Sequence, residues 1–391
     1  MNRRERQKHK RRKKLIIVLS TLLVLFITTS WIIVEFKSKA EDTEAAPEEQ
    51  TPKESTTEKP TKPQTTNEKP TQAIINNYEI DNYLKKIGFS GSVLIVREGK
   101  TILQKGYLYA NRETKALNTP DTLYYIGSSQ KAIIATAILQ LEEKGKISTE
   151  DPISKYLPNF PNGNQILLKN FLNHTSGIVG KPKVSGTVSP KELIEAIESQ
   201  GIKRSQPGKW NYLDANYMVL AYLVEMISGE SLSNYLQKNI FEPAQMTHTG
   251  TYQKDIENGT NESKGYLIKK DGTYKNPKLA DLSQLYGAGD ISMTTKDMYL
   301  FDKALMDKKL ISEASLKKMF TPGSTSGYGM GFYVDPGSYN SHGVLSGWNV
   351  SNSMSHTGKT YVILFSNIQN NIHSFGKVNN HIYKLLNKIK I

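Results

Sequence analysis

The sequence predicts an α/β fold: an antiparallel sheet flanked by helices, with an all-helical lobe inserted into it. Three observations carry this expectation. Both ends of residues 74–391 alternate like strands, the stretch between them repeats apolar residues at helical spacing, and no internal repeat at a solenoid period is visible. Strands at both termini with helices between them are brought together by one sheet that both chain ends close.

Taken in order, residues 91–96 (Gly-Ser-Val-Leu-Ile-Val) read as a strand, Glu98-Gly99-Lys100 as a turn and 101–109 as the returning strand. Near the end, 329–334, 347–354 and 361–365 read as strands, followed by an amphipathic helix over 376–391. Helical patterns cover 128–144, 167–173, 190–199, 216–227, 231–240 and 295–306. About 318 residues suffice for one large two-lobed domain over 74–391.

The segment before this domain has a different character. Residues 1–14 carry nine Lys or Arg against one Glu, and residues 15–34 carry no charge, long enough as a helix to span ~30 Å of hydrocarbon. A cleaved secretory signal has a shorter apolar region, usually ~7–15 residues, and here Glu35, Lys37 and Lys39 crowd the small-residue candidate Ser38-Lys39-Ala40. The expected arrangement is a cytoplasmic basic segment (1–14), an uncleaved transmembrane signal-anchor (15–36) and a disordered Pro/Thr/Glu/Lys-rich tether (37–73) holding five prolines. That places the domain outside the cell, on a single-pass membrane protein.

The net charge of +14 is concentrated at the N-terminus, and +9 remains on residues 75–391. Without a basic face interleaved with aromatics, nucleic acid is not an expected partner. Zero cysteines exclude disulfides, thiolate metal sites, Cys nucleophiles and iron–sulfur chemistry. Seven histidines without an H-E-x-x-H pattern predict no metal site, and no cofactor is expected. Chemistry then falls to Ser, Lys, Tyr and carboxylates.

Ser-x-x-Lys occurs three times, at Ser128, Ser315 and Ser374, so the pattern alone is weak. Only Ser128 follows a short apolar run and Gly127 and opens a long helix. There the free N–H groups and the macrodipole stabilise developing negative charge, and Lys131 returns to the same face one turn later. Ser128 is equally readable as a plain N-cap and Lys131 as a solvated first-turn residue. Against the plain reading, the helix is apolar nearly all round, and a Lys entering a buried helix must be used or paired. His174, in Asn-His-Thr-Ser-Gly, reads as a cap and loop organiser ending the preceding helix. Residues 217–226 hold aromatics and Met at core spacing.

"YIGSSQK", "DPISKYLP", "FLNHTSGI", "PGKWNYLDANYMVLAYLVEMISG", "YGAGDISMTTKDM" and "YGMGFYV" occur in this order along the chain. In that order they resemble the penicillin-recognising serine hydrolases of the class C β-lactamase and D,D-carboxypeptidase type, over essentially all of residues 78–390. The resemblance implies a β-lactamase/transpeptidase-like fold with its active site at the junction of the two lobes and an acyl-enzyme on Ser128, Lys131 serving as base. The family's Tyr-x-Asn motif maps to Tyr212-Leu213-Asp214, with Asp in place of Asn; Tyr212 takes the role of sharing the nucleophile's proton. The third motif maps to Ser341-His342-Gly343, Ser341 replacing the cation, with Gly343 admitting substrate and the Val344 and Ser128 N–H groups forming the oxyanion hole, while His342 is grouped with the motif but reads as an outward-facing strand residue rather than a catalytic one. A literal His356-Thr357-Gly358 reads instead as a hairpin tip.

Both departures change charge. Losing the third-motif cation removes the partner of a substrate carboxylate. Asp214 favours protonated Lys131 and can bind an ammonium. A D-alanyl ester on teichoic acid presents an ammonium and no carboxylate, and the pattern also resembles the staphylococcal FmtA-like branch of teichoic acid D-alanyl esterases. The leading expectation is therefore a membrane-tethered serine hydrolase of cell-envelope D-alanyl esters or peptides. A D,D-carboxypeptidase or weak β-lactamase, and a non-catalytic surface protein binding penicillin or wall polymer, remain as alternatives.

Overall fold

The computed structural model describes residues 71–200, 206–253 and 261–388. The basic segment, the anchor and the tether up to residue 70 lie outside these residues, as do residues 389–391 of the expected terminal helix. Among the described residues, no helix is long and apolar enough to cross a membrane.

The main sheet has seven strands: β1 (Ile74–Ile75), β2 (Gly91–Arg97), β3 (Lys100–Tyr107), β4 (Tyr333–Asp335), β5 (Ser338–Leu345), β6 (Trp348–Ser355) and β7 (Thr360–Ser366). Its order is β1-β3-β2-β7-β6-β5-β4, and every neighbouring pair is antiparallel. Strands from the early and late parts of the described domain meet at β2 and β7, where Ile95 lies opposite Val362 and Val93 opposite Leu364. Residues 356–359 form the turn between β6 and β7, so His356-Thr357-Gly358 is a hairpin tip.

Side-chain alternation sends the two halves of each central strand to different layers. Val93, Ile95, Val362 and Leu364 pack with Ile80 and Leu84 of α1 (Tyr78–Lys86), and with Val378, Ile382 and Leu386 of the C-terminal helix (Phe375–Leu386). Leu94, Val96, Ile363 and Phe365 join the larger core on the other face. Burial on both faces is why β2 reads as a continuous apolar run.

That larger core is filled by α2 (Lys131–Glu143), α3 (Leu168–Leu172), α4 (Pro190–Gln200), α5 (Asp214–Ser228), α6 (Leu232–Leu236), α7 (Thr295–Met306) and α8 (Glu313–Met319); the C-terminal helix is α9. Helix α2 is buried from Lys131 to Leu141, with side chains such as Ile133, Ile134, Ile138 and Leu139 each contributing about 1.5–3 kcal/mol. A short 3₁₀ turn, Gly127–Gln130, precedes it.

The expected elements appear with shifted ends. The 329–334 strand is reduced to Tyr333–Asp335, and helix 231–240 widens after Leu236 into a π-type turn over Gln237–Phe241. Helices α1 and α8 were not expected. Of the other Ser-x-x-Lys matches, Ser374 caps α9 by accepting from the Lys377 N–H at 3.3 Å, and Ser315 lies buried within α8.

Candidate active site

The 3₁₀ turn carrying Ser128 lies against β5 with room for no side chain between them. A Cβ on Gly343 would sit 1.8 Å from the Ile126 carbonyl oxygen and 3.0 Å from the Ser128 nitrogen; one on Gly127 would sit 3.0 Å from the Val344 nitrogen. Gly127 also has φ +50°, which favours glycine. The backbone of Ser128 and the backbone of Val344 are therefore adjacent, each nitrogen beside the other segment's glycine.

Lys131 is completely buried, yet all three of its ammonium protons have acceptors. Its Nζ donates to Ser128 Oγ at 2.9 Å, to Asp214 Oδ1 at 2.7 Å and to the Ala288 carbonyl at 3.3 Å. The Tyr212 ring centroid lies 5.0 Å from the same Nζ. Burial works against this charge, but Tyr212 and Asp214 outweigh it and hold the Lys131 pKa above its ordinary value. Lys131 thus faces Ser128 as a donor. Asp214, the first residue of α5, keeps 42% of its side chain exposed, so one carboxylate serves Lys131 while part of it faces solvent.

The segment that brings Tyr212 and Asp214 here is gripped by His174, which is fully buried. The His174 carbonyl accepts from the Asn211 N–H at 2.7 Å, and its Nδ1 accepts from the Leu213 N–H at 3.2 Å. Its ring lies 4.1 Å from that of Tyr212, with Tyr328 at 5.0 Å and Tyr217 at 5.2 Å.

On the far side of Lys131, a polar clamp fixes the loop that supplies the Ala288 carbonyl. Gln130 donates to Asp290 Oδ1 at 2.7 Å and accepts from the Ile291 N–H at 3.1 Å, while Asp290 Oδ1 also accepts from the Gly287 N–H. Burial raises the Asp290 pKa to about 6. Sequence reasoning had only the string "YGAGD" for this loop; its Gly and Asp are the local signal, while Gln130 lies 160 residues from Asp290.

The structure brings Ser128, Lys131, Tyr212 and Asp214 into one cluster and sets Gly343 and Val344 beside it. Ser341 lies on the same face of β5 as Gly343, buried, within 3.4 Å of the Asn352 amide nitrogen, and presents no positive charge. His342 is a correction to the motif grouping and agrees with its outward-facing reading. Strand alternation turns it to the opposite face of β5, where its Nε2 pairs with Asn349 Oδ1 at 2.7 Å and its ring lies 6.2 Å from that of Phe375. It lines a separate polar cleft of about 680 Å³ between β5, β6 and the start of α9.

A buried lysine bonded to a serine at the head of a helix, with Tyr-x-Asp beside it and a glycine-bearing strand behind it, meets the comparisons with known proteins directly. The Beta-lactamase family model matches residues 80–386. The chain belongs to the beta-lactamase family. It is a serine hydrolase with the β-lactamase/transpeptidase-like fold. Among similar proteins, one named as a penicillin-binding protein, PbpX of Bacillus subtilis (strain 168), is 56% identical over 317 residues, covering 81% of this chain and 80% of that protein. The teichoic acid D-alanine hydrolase of Staphylococcus aureus is 34% identical over 272 residues, 66% of each. The crystal structure of FmtA from Staphylococcus aureus superposes with a TM-score of 0.73 at 31% identity, covering 81% of this chain and 93% of that one. Within this beta-lactamase-family member, the cluster around Lys131 is the candidate active site.

Proposed function

We propose that this beta-lactamase-family hydrolase removes D-alanine from D-alanyl esters of a cell-envelope teichoic acid through an acyl-enzyme on Ser128. The observation that carries the reading is the half-exposed Asp214 bonded to the buried Lys131, with Ser341 standing uncharged where the family motif has a cation. A site with an available carboxylate and a neutral third motif favours a substrate that carries an ammonium over one that carries a carboxylate. The relative named as a teichoic acid D-alanine hydrolase supports this class of substrate, and the one named as a penicillin-binding protein supports the wider class of acyl-transfer chemistry on Ser128.

In the proposed reaction, Ser128 Oγ attacks the ester carbonyl as its proton passes to Lys131, which hands one of its own to Asp214 or to the Tyr212 hydroxyl, the latter accepting it only as it passes its own proton to the leaving oxygen. The relay is required because Lys131 starts as an ammonium with no lone pair for Ser128. The Ser128 and Val344 N–H groups hold the oxyanion. Collapse breaks the ester bond, the polyol oxygen leaves with the relayed proton, and D-alanine stays esterified to Ser128. Water then attacks that ester through the same relay and releases D-alanine. The reading includes residues 15–36 as membrane anchor, 37–73 as tether and 74–391 as an extracellular hydrolase domain.

The test is release of D-alanine by the full chain in detergent from D-alanylated teichoic acid and, separately, from a D-Ala-D-Ala peptide. Release from the ester in excess, abolished by Ser128→Ala, is expected. Release from the peptide alone favours a D,D-carboxypeptidase, and no release with retained penicillin labelling favours a binding protein.

A further inference from the structure

We propose that His174 is a positioning residue of the active site: held in its uncharged Nε2–H form, it supplies the acceptor that places Tyr212 and Asp214 against Lys131. The proposal deepens the reading above, since it rests on Tyr212 and Asp214 belonging to the reacting cluster.

Three consecutive residues are held by this one side chain and its own carbonyl. Asn211 donates its N–H to the His174 carbonyl at 2.7 Å, the Tyr212 ring lies against the imidazole with centroids 4.1 Å apart and a 34° tilt, and Leu213 donates its N–H to Nδ1 at 3.2 Å. Asp214 follows directly. The neighbouring residues of the same loop extend the grip, because Thr175 accepts from the Gly208 N–H at 2.8 Å, and Ser176 Oγ donates to Asn216 Oδ1 at 2.6 Å. The 174–176 segment is thus a template on which residues 208–216 are laid. His174 itself sits at φ +55°, a left-handed conformation that costs a non-glycine residue energy and orients its carbonyl and ring toward the same segment.

The tautomer follows from the donors. A backbone N–H can only donate, so Nδ1 carries a lone pair and the ring proton is on Nε2. Asn216 Nδ2 lies 3.0 Å from the same Nδ1, and with Asn216 Oδ1 occupied by Ser176, its amide nitrogen is a second donor there. A proton on Nδ1 would face both. The groups around the ring are the Lys131 ammonium and the phenols of Tyr212, Tyr217 and Tyr328; the start of α5, whose dipole also opposes positive charge, lies at Leu213. Burial, then Lys131, hold the His174 pKa well below its ordinary value. An imidazole that stays neutral leaves Lys131 as the positive charge of the cluster and keeps the segment in register at every working pH.

Two substitutions separate ring from acceptor. His174→Asn places an oxygen where Nδ1 was and removes the ring; His174→Phe keeps the ring and removes the acceptor. In burst kinetics of the full chain with a chromogenic D-alanyl ester, His174→Phe is expected to lower the acylation rate and kcat by about ten- to hundredfold with little change in KM, as two buried donors lose their partner. His174→Asn is expected to recover most of that loss. Equal losses in both variants, or a His174→Phe enzyme that loses only thermal stability, would overturn the proposal. Should His174→Phe fail to fold, ¹⁵N-histidine spectra of the wild-type chain decide: one ring is expected to hold an Nε2–H signature without titrating from pH 5.5 to 8.5, and titration of all seven histidines overturns it. If Ser128→Ala leaves turnover intact, the site assignment fails whatever His174 does; if Ser128→Ala abolishes turnover while His174→Phe keeps kcat, only the positioning role fails.

Discussion

Asp214 and Asp302 carry the same side chain and meet opposite fates. Asp214 opens α5 with part of its carboxylate exposed and an ammonium 2.7 Å away. Asp302, on α7, is completely buried, and its side-chain partner is the Asn352 amide on β6, 3.0 Å away. Burial raises the Asp302 pKa to about 8, and a neutral amide offers too little to offset it. The contrast shows that in this core the counter-charge, more than depth alone, decides whether an ionisable group stays charged. Lys131 is as deeply buried as Asp302 and keeps its charge because Asp214 and Tyr212 stand beside it. The one pair is proposed to move protons; the other behaves as a buried acid that braces β6 behind Ser341.

Lys131→Met breaks the first member of the comparison most completely. It removes the charge and the proposed relay with little change in length, and Asp214 can turn to water because it is half-exposed. A loss of turnover of about 10²–10⁴-fold, the usual size of a general acid–base contribution, is expected with a folded protein. Retention of turnover within a few-fold would take Lys131 out of the chemistry.

Asp214→Asn leaves Lys131 in place and removes its counter-charge. On D-alanyl esters, loss of a charged contact of ~1.5–3 kcal/mol predicts roughly a ten- to hundredfold fall in kcat/KM. On an uncharged ester of similar size the loss is expected to be smaller. Asp214 raises the Lys131 pKa, so the variant's Lys131 deprotonates at lower pH, and the rising limb of the pH–rate profile should shift toward acid. Equal losses on charged and neutral esters would remove ammonium binding and leave Asp214 a proton-relay residue.

How much of this was legible in the chain depends on distance along it. The sheet joining early and late strands of the domain could be read because strands β2, β6 and β7 each carry a local pattern. Ser128 and Lys131 could be paired because one helical turn separates them. Asp214 is 83 residues from Lys131, and only a known motif order connected the two. The Ala288 carbonyl, 157 residues away, had no signal of its own, since any residue has a carbonyl. His342 stands apart from the site for a simpler reason: a motif names a run of strand positions, and strand alternation sends neighbours to opposite faces, which is why it read as outward-facing although it belongs to the motif. Asp302 gave no sign because an aspartate on an amphipathic helix reads as solvated until the fold shows which face is inward.

Asn352→Leu tests the second member. Removing the amide leaves the buried Asp302 without its side-chain donor, which should cost about 1–3 kcal/mol of stability, read as a fall in Tm, with only a small change in kcat. A variant as stable as wild type would mean that the amide contributes nothing to holding Asp302.

Asp302→Asn should change turnover least, and its informative readout is the pH dependence of Tm. In the fold Asp302 keeps its proton up to about pH 8, whereas in the unfolded chain it loses it near ~4. Between those values the native state binds more protons than the unfolded state, so this group makes wild-type stability fall as pH rises, and above about pH 8 its contribution is constant. Asparagine does not titrate and has no such slope. The Tm of Asp302→Asn minus that of wild type should therefore increase from pH 5 to pH 8 and then level off, whatever its sign at pH 5. The Asp290 carboxylate, raised to about 6, is present in both proteins and cancels in the difference. A difference that is flat across this range would mean that Asp302 is ionised in the fold, and that a buried carboxylate can here keep its charge on an amide alone.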